Sequence, residues 1–246
     1  MPSEMSPAPA SLSPRPLDAA GQPAAAPGPA AGTGPVLWAC TGLRHGMPGM
    51  DEPLFGGMDL RIAAGATLLR GGDGRGKTTL LRIIAGQLNP RQGRIDAATR
   101  DVFWIDPRSD GAEGGGPAAQ QTPEDWWAAQ AARRPGWSAD ALAAHVQGFG
   151  LAGHAGKRME QLSTGTRRKV LLAAGVASGA ALVLVDEPVA GLDRASIAYL
   201  RQCLCGAAAA ASATPPASPA GGSAVVVAHY DALGDVPWTQ RVELGD

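Results

Sequence analysis

The stretch Gly71-Gly72-Asp73-Gly74-Arg75-Gly76-Lys77-Thr78-Thr79 decides the fold of this chain. From Gly71 to Thr78 it matches the pattern G-x-x-x-x-G-K-[ST] at every fixed position. Glycines at this spacing let successive backbone N–H groups turn towards a phosphate, and the following helix presents the positive end of its dipole. In this pattern Lys77 reaches the outer phosphates of a nucleotide, and the Thr78 hydroxyl holds Mg²⁺. We therefore predict a phosphate-binding loop in preference to a glycine-rich turn without a ligand.

The residues on either side of this loop predict one unit of a parallel α/β fold. The apolar run Ala66–Leu69 precedes the loop as a buried strand, and Leu80–Gln87 follows it with helical spacing as far as Asn89-Pro90. Two later runs, Ala181–Val185 and Ala224–Ala228, have the apolar composition of strands that are covered on both faces. Together these elements are typical of a parallel sheet flanked by helices.

The N-terminal and middle parts of the chain have a different character. Val36–Trp38 and Met58–Ile62 look like short strands, the second with alternating apolar and polar residues. Thr122–Asp125 combines a capping hydroxyl, a proline and two acids, and therefore predicts the start of a helix. A second helix is expected near Ser138. We interpret about residues 120–160 as a small helical insertion between two parts of one sheet.

Composition excludes several classes of protein and marks two flexible segments. With 21 basic and 22 acidic residues the formal net charge is −1, so a broad attraction to nucleic acid is not expected. The longest apolar run, Val170–Val185, is too short and too interrupted for a transmembrane helix, and no secretion signal is found. Three cysteines are too few for a disulfide framework, which favours a reducing compartment.

Residues 1–35 are interpreted as a disordered tail or as a translation start placed too far upstream, and Gly206–Ser223 as a flexible loop.

Two acidic residues follow the predicted strand Ala181–Val185. At the carboxyl end of such a strand Asp186 can face Mg²⁺, and Glu187 can orient an attacking water near the terminal phosphate. An apolar strand followed by two acids is common, so the pair alone is a weak signal. Together with the phosphate loop it predicts nucleotide hydrolysis.

The pentapeptide Leu162-Ser163-Thr164-Gly165-Thr166 lies between the phosphate loop and these acids. Serine is a good N-cap, so the pentapeptide by itself indicates the start of a helix. Its position, 23 residues before Asp186 when counted from Ser163, gives it a second interpretation.

In this order the motifs resemble those of the ATP-binding cassette (ABC) ATPases, over about residues 36–246. The pentapeptide is similar to their signature motif, with Thr164 and Thr166 replacing the first glycine and the glutamine. Asp193 matches the aspartate of their D-loop, and His229 matches their switch histidine. The resemblance implies an α/β P-loop NTPase fold. Such a fold has a mostly parallel core sheet, an antiparallel β part near the N-terminus and a small helical subdomain.

The resemblance also implies a mechanism and partners. ATP and Mg²⁺ would be held by the phosphate loop of one cassette and covered by Ser163 and Gly165 of a second, so a homodimer is expected. Glu187 would act as general base, while Lys77 and His229 would contact the γ-phosphate. Closure and reopening of the dimer would drive integral membrane subunits on separate chains. This would place the chain on the cytoplasmic face of the inner membrane, and no nucleic acid is expected.

Three features depart from the pattern of the family. Asp106 lies near the place of the Q-loop glutamine, and we predict that it is a further ligand of Mg²⁺ or water. His45 is the nearest candidate for the aromatic residue that stacks on adenine, with an exposed loop histidine as the equal alternative. Glu187 and His229 lie about ten residues further apart than the family pattern implies, which the predicted loop Gly206–Ser223 would absorb.

The tryptophans of the helical insertion have two interpretations. Trp126, Trp127 and Trp137 either pack inside a small subdomain, which is the favoured interpretation, or line a groove for a helix of a membrane partner, since aromatic residues are enriched at interfaces.

Three functions compete at this point. The first is the ATP-hydrolysing subunit of a transporter, and the short insertion and altered Q-loop look like those of small bacterial exporter cassettes, including those of cytochrome c maturation. The second is a soluble ABC-type ATPase that is not engaged in transport and acts on ribosomes, DNA or iron–sulfur assembly. The near-neutral charge argues against nucleic acid, and the single cassette argues against the tandem-cassette type. The third is a nucleotide-gated regulatory subunit with weak hydrolysis, which the departures at Asp106 and Thr166 would favour and the intact Glu187 and His229 oppose.

Overall fold

Two sheets of opposite type form the framework of the chain. The computed structural model describes residues 34–46, 53–106, 116–213 and 222–245. Three antiparallel strands lie in the order β2 (Phe55–Ala63), β1 (Val36–His45) and β4 (Gln92–Ala97). Five parallel strands lie in the order β5 (Val102–Ile105), β6 (Leu182–Asp186), β7 (Ala224–His229), β3 (Gly65–Arg70) and β8 (Gln240–Glu243). The predicted α/β fold class, with its parallel core sheet and antiparallel N-terminal part, is confirmed.

The register of the parallel sheet places the motif-bearing strands side by side. Leu182 is paired with Ala224, and Gly65 is also paired with Ala224, so β6 and β3 flank β7 in one continuous register. Because the strands are parallel, their carboxyl ends meet at one edge. The phosphate loop, Asp186 and His229 all follow or end strands at that edge.

Helix α1 (Lys77–Ile84) begins at the lysine of the phosphate loop, three residues before the predicted start. Its end differs as well: Gly86, at φ 70°, follows the helix in a left-handed conformation. The N–H groups of Gly86 and Gln87 donate to the carbonyls of Ile83 and Arg82, at 3.0 and 2.9 Å. This glycine-terminated arrangement satisfies the last carbonyls of the helix, so the helix stops before Asn89-Pro90.

Capping residues set the starts of the middle helices as predicted. Thr122 Oγ1 accepts from the backbone N–H of Asp125 at the start of α2 (Pro123–Arg133), and Ser138 Oγ accepts from the N–H of Ala141 at the start of α3 (Ala139–Gly148). Both helices fall within the predicted helical insertion. They precede α4 (Thr164–Ala177), which begins inside the pentapeptide.

Helix α5 (Arg194–Ala213) corrects the prediction of a flexible loop over Gly206–Ser223. Residues 206–213 continue the helix, because the run of alanines from Ala207 to Ala211 has the highest helix propensity of any residue type. Residues 214–221 of the predicted loop, and residues 1–33 of the predicted tail, lie outside the described residues.

The parallel sheet is buried between two apolar clusters. One contains α1 and the inner face of the antiparallel sheet, with Trp38, Leu69 and Leu80. The other contains the middle helices, with Trp126, Phe149 and Val170. Across the described part of the chain, none of the helices combines the length and apolarity that a bilayer crossing needs. The two apolar clusters hold the parallel sheet from both faces, and so they hold in place the sheet edge that carries the motif residues.

Candidate functional site: a phosphate loop at the carboxyl edge of the sheet

The phosphate loop lines a cavity of about 440 Å³ at this edge of the sheet. Lys77 is almost fully buried, and its ammonium donates to the carbonyls of Gly71 and Gly72, at 2.8 and 3.0 Å. The lysine thereby closes the loop on itself, and the cavity lies beside it. Residues lining the cavity are Leu54, Gly72, Asp73, Gly74, Arg75, Gly76, Lys77, Thr78, Thr79, Asp186 and Glu187.

A glycine is required at the junction between the loop and α1. Gly76 has φ 86°, and a Cβ placed on it would lie 2.8 Å from side-chain atoms of Leu54 and Phe55. The loop backbone is therefore pressed against the start of β2. The first backbone N–H groups of α1 have no partner within the helix and can donate to a phosphate.

Thr78 and Asp186 form a pair of hard oxygen donors in the lining of the cavity. Thr78 Oγ1 donates to Oδ2 of Asp186 at 2.6 Å, and Asp186 is buried at the end of β6. A hydroxyl and a carboxylate this close are the donor types that Mg²⁺ prefers, so the residues present fit this ion. The sequence predicted both residues for this role, and the fold brings them together.

Asp106 lies beside this pair by strand register. It directly follows Ile105, whose partner in β6 is Val185, the residue before Asp186. Asp106 is 9 % exposed. The predicted third oxygen donor therefore lies at the same sheet edge on the neighbouring strand.

Glu187 is held between two cationic or protonatable groups. Its Oε1 lies 3.5 Å from Nζ of Lys77, and its Oε2 lies 3.6 Å from Nε2 of His229. The backbone is in the left-handed region at φ 45°, and the Glu187 N–H donates to the carbonyl of Ala228 at 3.0 Å. Strain of this kind persists only where surrounding contacts impose it, and it is common at functional sites. Here it turns the carboxylate from the end of β6 towards the phosphate loop.

The ring of His229 is oriented by the residues that follow it. His229 is 1 % exposed, and its Nδ1 accepts from the backbone N–H of Asp231 at 3.1 Å. In the neutral ring the proton is then on Nε2, which faces Glu187. The arrangement presents an N–H donor and a carboxylate to one point beside the loop.

Arg168 is a buried cation that the sequence analysis missed. It lies in α4 at 9 % exposure, and its Nε has no hydrogen-bond partner among the described residues. Burial lowers the pKa of its guanidinium, while the negative charges of Glu187 and Asp186 oppose this. The only local signal for it was a basic residue shortly after the pentapeptide.

The pentapeptide is the N-terminus of α4 and does not line the cavity of its own chain. Ser163 is the N-cap, and its Oγ accepts from the backbone N–H of Thr166 at 3.1 Å. Ser163 and Gly165 are not among the residues that surround the phosphate loop. The capping interpretation is thus observed, and any contact with a nucleotide would require one on another molecule.

The other predicted aromatic and histidine positions lie outside the lining of the cavity. His45 ends β1 opposite Phe55 and does not line the cavity, where Leu54 does. Trp126 and Trp127 are buried at 3 and 4 % exposure, which favours the packing interpretation for both. Trp137 is partly buried against the same cluster.

A larger cavity of about 710 Å³ lies over the antiparallel sheet and the start of β8. Its lining contains none of the predicted motif residues. The clustering of Lys77, Thr78, Asp186 and Glu187 therefore identifies the smaller cavity as the candidate site.

Comparison with known proteins agrees with this geometry. The family model described as "ABC transporter" matches residues 55–190, which is more than half of the chain. The cytochrome c biogenesis ATP-binding export protein CcmA of Alkalilimnicola ehrlichii is 38 % identical over 165 residues, covering 62 % of this chain and 67 % of that protein. The protein of the same name from Ruegeria pomeroyi is 33 % identical over 148 residues, covering 59 and 68 %.

Solved structures share the fold. An ABC transporter ATP-binding protein from Pyrococcus furiosus matches with a TM-score of 0.65 and 19 % identity, covering 84 % of this chain and 96 % of that one. A structure described as the ATP binding subunit of an ABC transporter matches with a TM-score of 0.60 and 19 % identity, covering 78 and 79 %. The chain therefore belongs to the ABC transporter family, as an ATP-binding and ATP-hydrolysing subunit.

Proposed function

We propose that the chain drives an export system of the cytochrome c biogenesis type, together with membrane-spanning subunits on separate chains. The export proteins at 31 to 38 % identity support the type of system. The position of Glu187 carries the proposal of hydrolysis, because its carboxylate lies at the phosphate-loop cavity between Lys77 and His229. A purely regulatory subunit would not need this arrangement.

Each residue of the site has a role in this proposal. Lys77 exchanges its bonds to loop carbonyls for the β- and γ-phosphates, which the N–H groups of the loop and of α1 also bind. Thr78 and Asp186 would hold Mg²⁺, and Asp106 would be a further oxygen ligand directly or through water. When bound, Mg²⁺ supplies charge neutralisation at the phosphate oxygens.

Hydrolysis requires a water directed at the γ-phosphate. Glu187 accepts a proton from that water or orients it, and Nε2–H of His229 donates to the γ-phosphate oxygen. The sheet edge holds both groups on neighbouring strands, so little reorganisation is needed between binding and reaction.

A second copy of the chain completes the site in this proposal. Ser163 and Gly165 begin α4 away from the cavity of their own chain, and the N-terminus of a helix is a binding site for anions. A homodimer arranged head to tail would bring this helix start to the γ-phosphate held by the partner. The assembly is expected on the cytoplasmic face of the inner membrane.

Purification of the tagged chain from membranes tests the proposal. The expected result is co-purification with an integral membrane protein and ATP hydrolysis that the Lys77→Ala variant lacks. Recovery of the chain without any membrane protein would instead favour an ABC ATPase that works outside membranes. ATP binding with negligible phosphate release would favour the nucleotide-gated regulatory subunit.

A further inference from the structure

The segment Glu187–Asp193 connects the end of β6 to the start of α5 and carries the proposed general base. Its first residue is held by the hydrogen bond from the Glu187 N–H to Ala228. Its last residue is Asp193, and each of the two carboxylate oxygens of Asp193 accepts a separate hydrogen bond. Oδ1 accepts from the backbone N–H of Ser196 at 2.8 Å, and Oδ2 accepts from Nζ of Lys169 at 2.7 Å.

The two bonds of Asp193 join different helices. The bond to Ser196 caps α5, whereas the bond to Lys169 crosses to α4, the helix that begins at Ser163. The hydrogen bond from Lys169 is the main cause that lowers the pKa of the Asp193 carboxyl well below its ordinary value. The carboxylate is thus charged at neutral pH, and the pair is an ion pair.

A second contact fixes the same two elements to each other. Gly191, at φ 77°, directs its carbonyl at Gly165, and a Cβ on Gly165 would overlap that oxygen. The segment therefore lies directly on the first turn of α4. Lys169 stands one turn further along α4, so the segment is attached to this helix at two points.

We propose that Lys169 is a positioning residue that ties the segment Glu187–Asp193 to α4, so that a displacement of the helix start is passed to Glu187. This inference rests on the proposed function, in which the start of α4 contacts a nucleotide on the partner copy. Engagement of Ser163 by that nucleotide then shifts α4, and the shift reaches Glu187 of the same chain. Lys169 acts on the rate of hydrolysis without touching the nucleotide.

The unequal exposure of the ion pair decides which variant separates this role from a purely structural one. The Asp193 side chain is 58 % exposed, whereas that of Lys169 is 14 % exposed. Ion pairs open to solvent contribute little to folding stability, so loss of the pair through Asp193→Asn should leave the unfolding midpoint nearly unchanged. Lys169→Gln also changes the packing of a largely buried side chain, so its midpoint does not make this distinction. A residue that orients a catalytic segment instead affects kcat, because small misplacements of a reacting group are costly.

The chain offers well-matched variants for a test. Lys169→Gln removes the charge, Lys169→Arg retains it, and Asp193→Asn loses the ion pair while remaining a good N-cap for α5. Lys157→Gln is the control, because this lysine is exposed and has no ion pair among the described residues. Hydrolysis, ATP affinity and the denaturation midpoint are measured on the full chain purified with its membrane partner.

In Lys169→Gln and in Asp193→Asn we expect kcat to fall about tenfold, with KM for ATP nearly unchanged. In Asp193→Asn the unfolding midpoint should be nearly unchanged as well. Lys169→Arg should restore most of the rate, and the double variant Lys169→Gln/Asp193→Asn should be no slower than either single variant. The inference is overturned by an unchanged kcat in Lys169→Gln. It is also overturned if kcat and the unfolding midpoint fall in parallel in Asp193→Asn, or if the effects of the two single variants add in the double variant. Wild-type hydrolysis is measured first. Its absence would overturn the proposed function and this inference together, whereas wild-type hydrolysis with an unimpaired Lys169→Gln overturns the inference alone.

Discussion

Nε2 of His229 lies 3.6 Å from Oε2 of Glu187, although the two residues come from different strands of the parallel sheet. The histidine ends β7, and the glutamate follows β6, the neighbouring strand. Both side chains therefore reach the same point beside the phosphate loop because the strands end together.

Replacing Glu187 by glutamine should separate hydrolysis from binding. The amide keeps the size of the side chain but cannot accept a proton, so we expect phosphate release to fall by about 10²-fold or more. ATP affinity should be retained, because Lys77 and the loop are unchanged. Phosphate release and nucleotide binding are measured on the same preparation, and an unchanged rate would show that Glu187 is not the general base.

Lys77→Ala should weaken ATP binding itself. The variant loses a charge-assisted donor, which contributes about 1.5–3 kcal/mol, so affinity should fall by at least about tenfold. Fluorescent nucleotide titration measures this, with Lys157→Ala as the matched control at an exposed lysine. Equal affinity of Lys77→Ala and the control would contradict the assignment of the phosphate loop.

Thr78→Val and Thr78→Ser should differ in their requirement for Mg²⁺. Valine has nearly the shape of threonine but no hydroxyl, so it loses the oxygen that lies 2.6 Å from Asp186 Oδ2. Serine retains that oxygen. We expect the Mg²⁺ concentration for half-maximal hydrolysis to rise several-fold in Thr78→Val and to change little in Thr78→Ser. Equal Mg²⁺ dependence in both variants would remove Thr78 from the metal site.

Gly165→Ala and Gly206→Ala should change stability in opposite directions. At Gly165 an added Cβ overlaps the carbonyl oxygen of Gly191, so the free energy of unfolding should fall by about 1–3 kcal/mol. Gly206 lies inside α5 with open space around it, and alanine there should raise the free energy of unfolding by about 0.5–1 kcal/mol. Urea denaturation of both variants measures the two shifts, and a shift of the same sign in both would be inconsistent with these environments.

His145 should make stability depend on pH. Its Nδ1 lies 2.8 Å from the Tyr199 hydroxyl between α3 and α5, and burial lowers its pKa from the ordinary value of 6.5. The unfolded chain therefore binds the extra proton more readily, so stability is retained above about pH 6.5 and lost as the pH falls below it. The drop in midpoint between about pH 8 and about pH 5.5 should be smaller in His145→Gln. An equal drop in both proteins would exclude this histidine as the cause.

Much of the sheet follows from local patterns in the sequence. The buried strands β3, β6 and β7 are predicted because strands covered on both faces are continuous apolar runs. The edge strands β4 and β8 are missed, because Gln92–Ala97 and Gln240–Glu243 are short and largely polar. Strand β4 is exposed over almost its whole length and so has no apolar face, whereas β8 alternates between buried and exposed residues but has only four, and one of its two buried residues is Gln240.

Part of the candidate site could also be predicted from the sequence, and part could not. Residues at the carboxyl ends of parallel strands, such as Asp186 and Glu187, are predictable because that edge is shared by every strand. The ion pair between Lys169 and Asp193 has no local signature, since it joins two helices across a gap of 24 residues. The left-handed backbone at Glu187 is likewise imposed by tertiary contacts and not by residue type.

The bond between Trp127 and the backbone of α4 has a mechanical consequence. The buried indole Nε1 donates to the carbonyl of Val170 at 3.2 Å, which fastens α2 to the middle of the helix that Ser163 begins. A force applied to α2 would therefore be transmitted to α4, and through α4 to Ser163 at its start. The two helices would move together as one rigid unit.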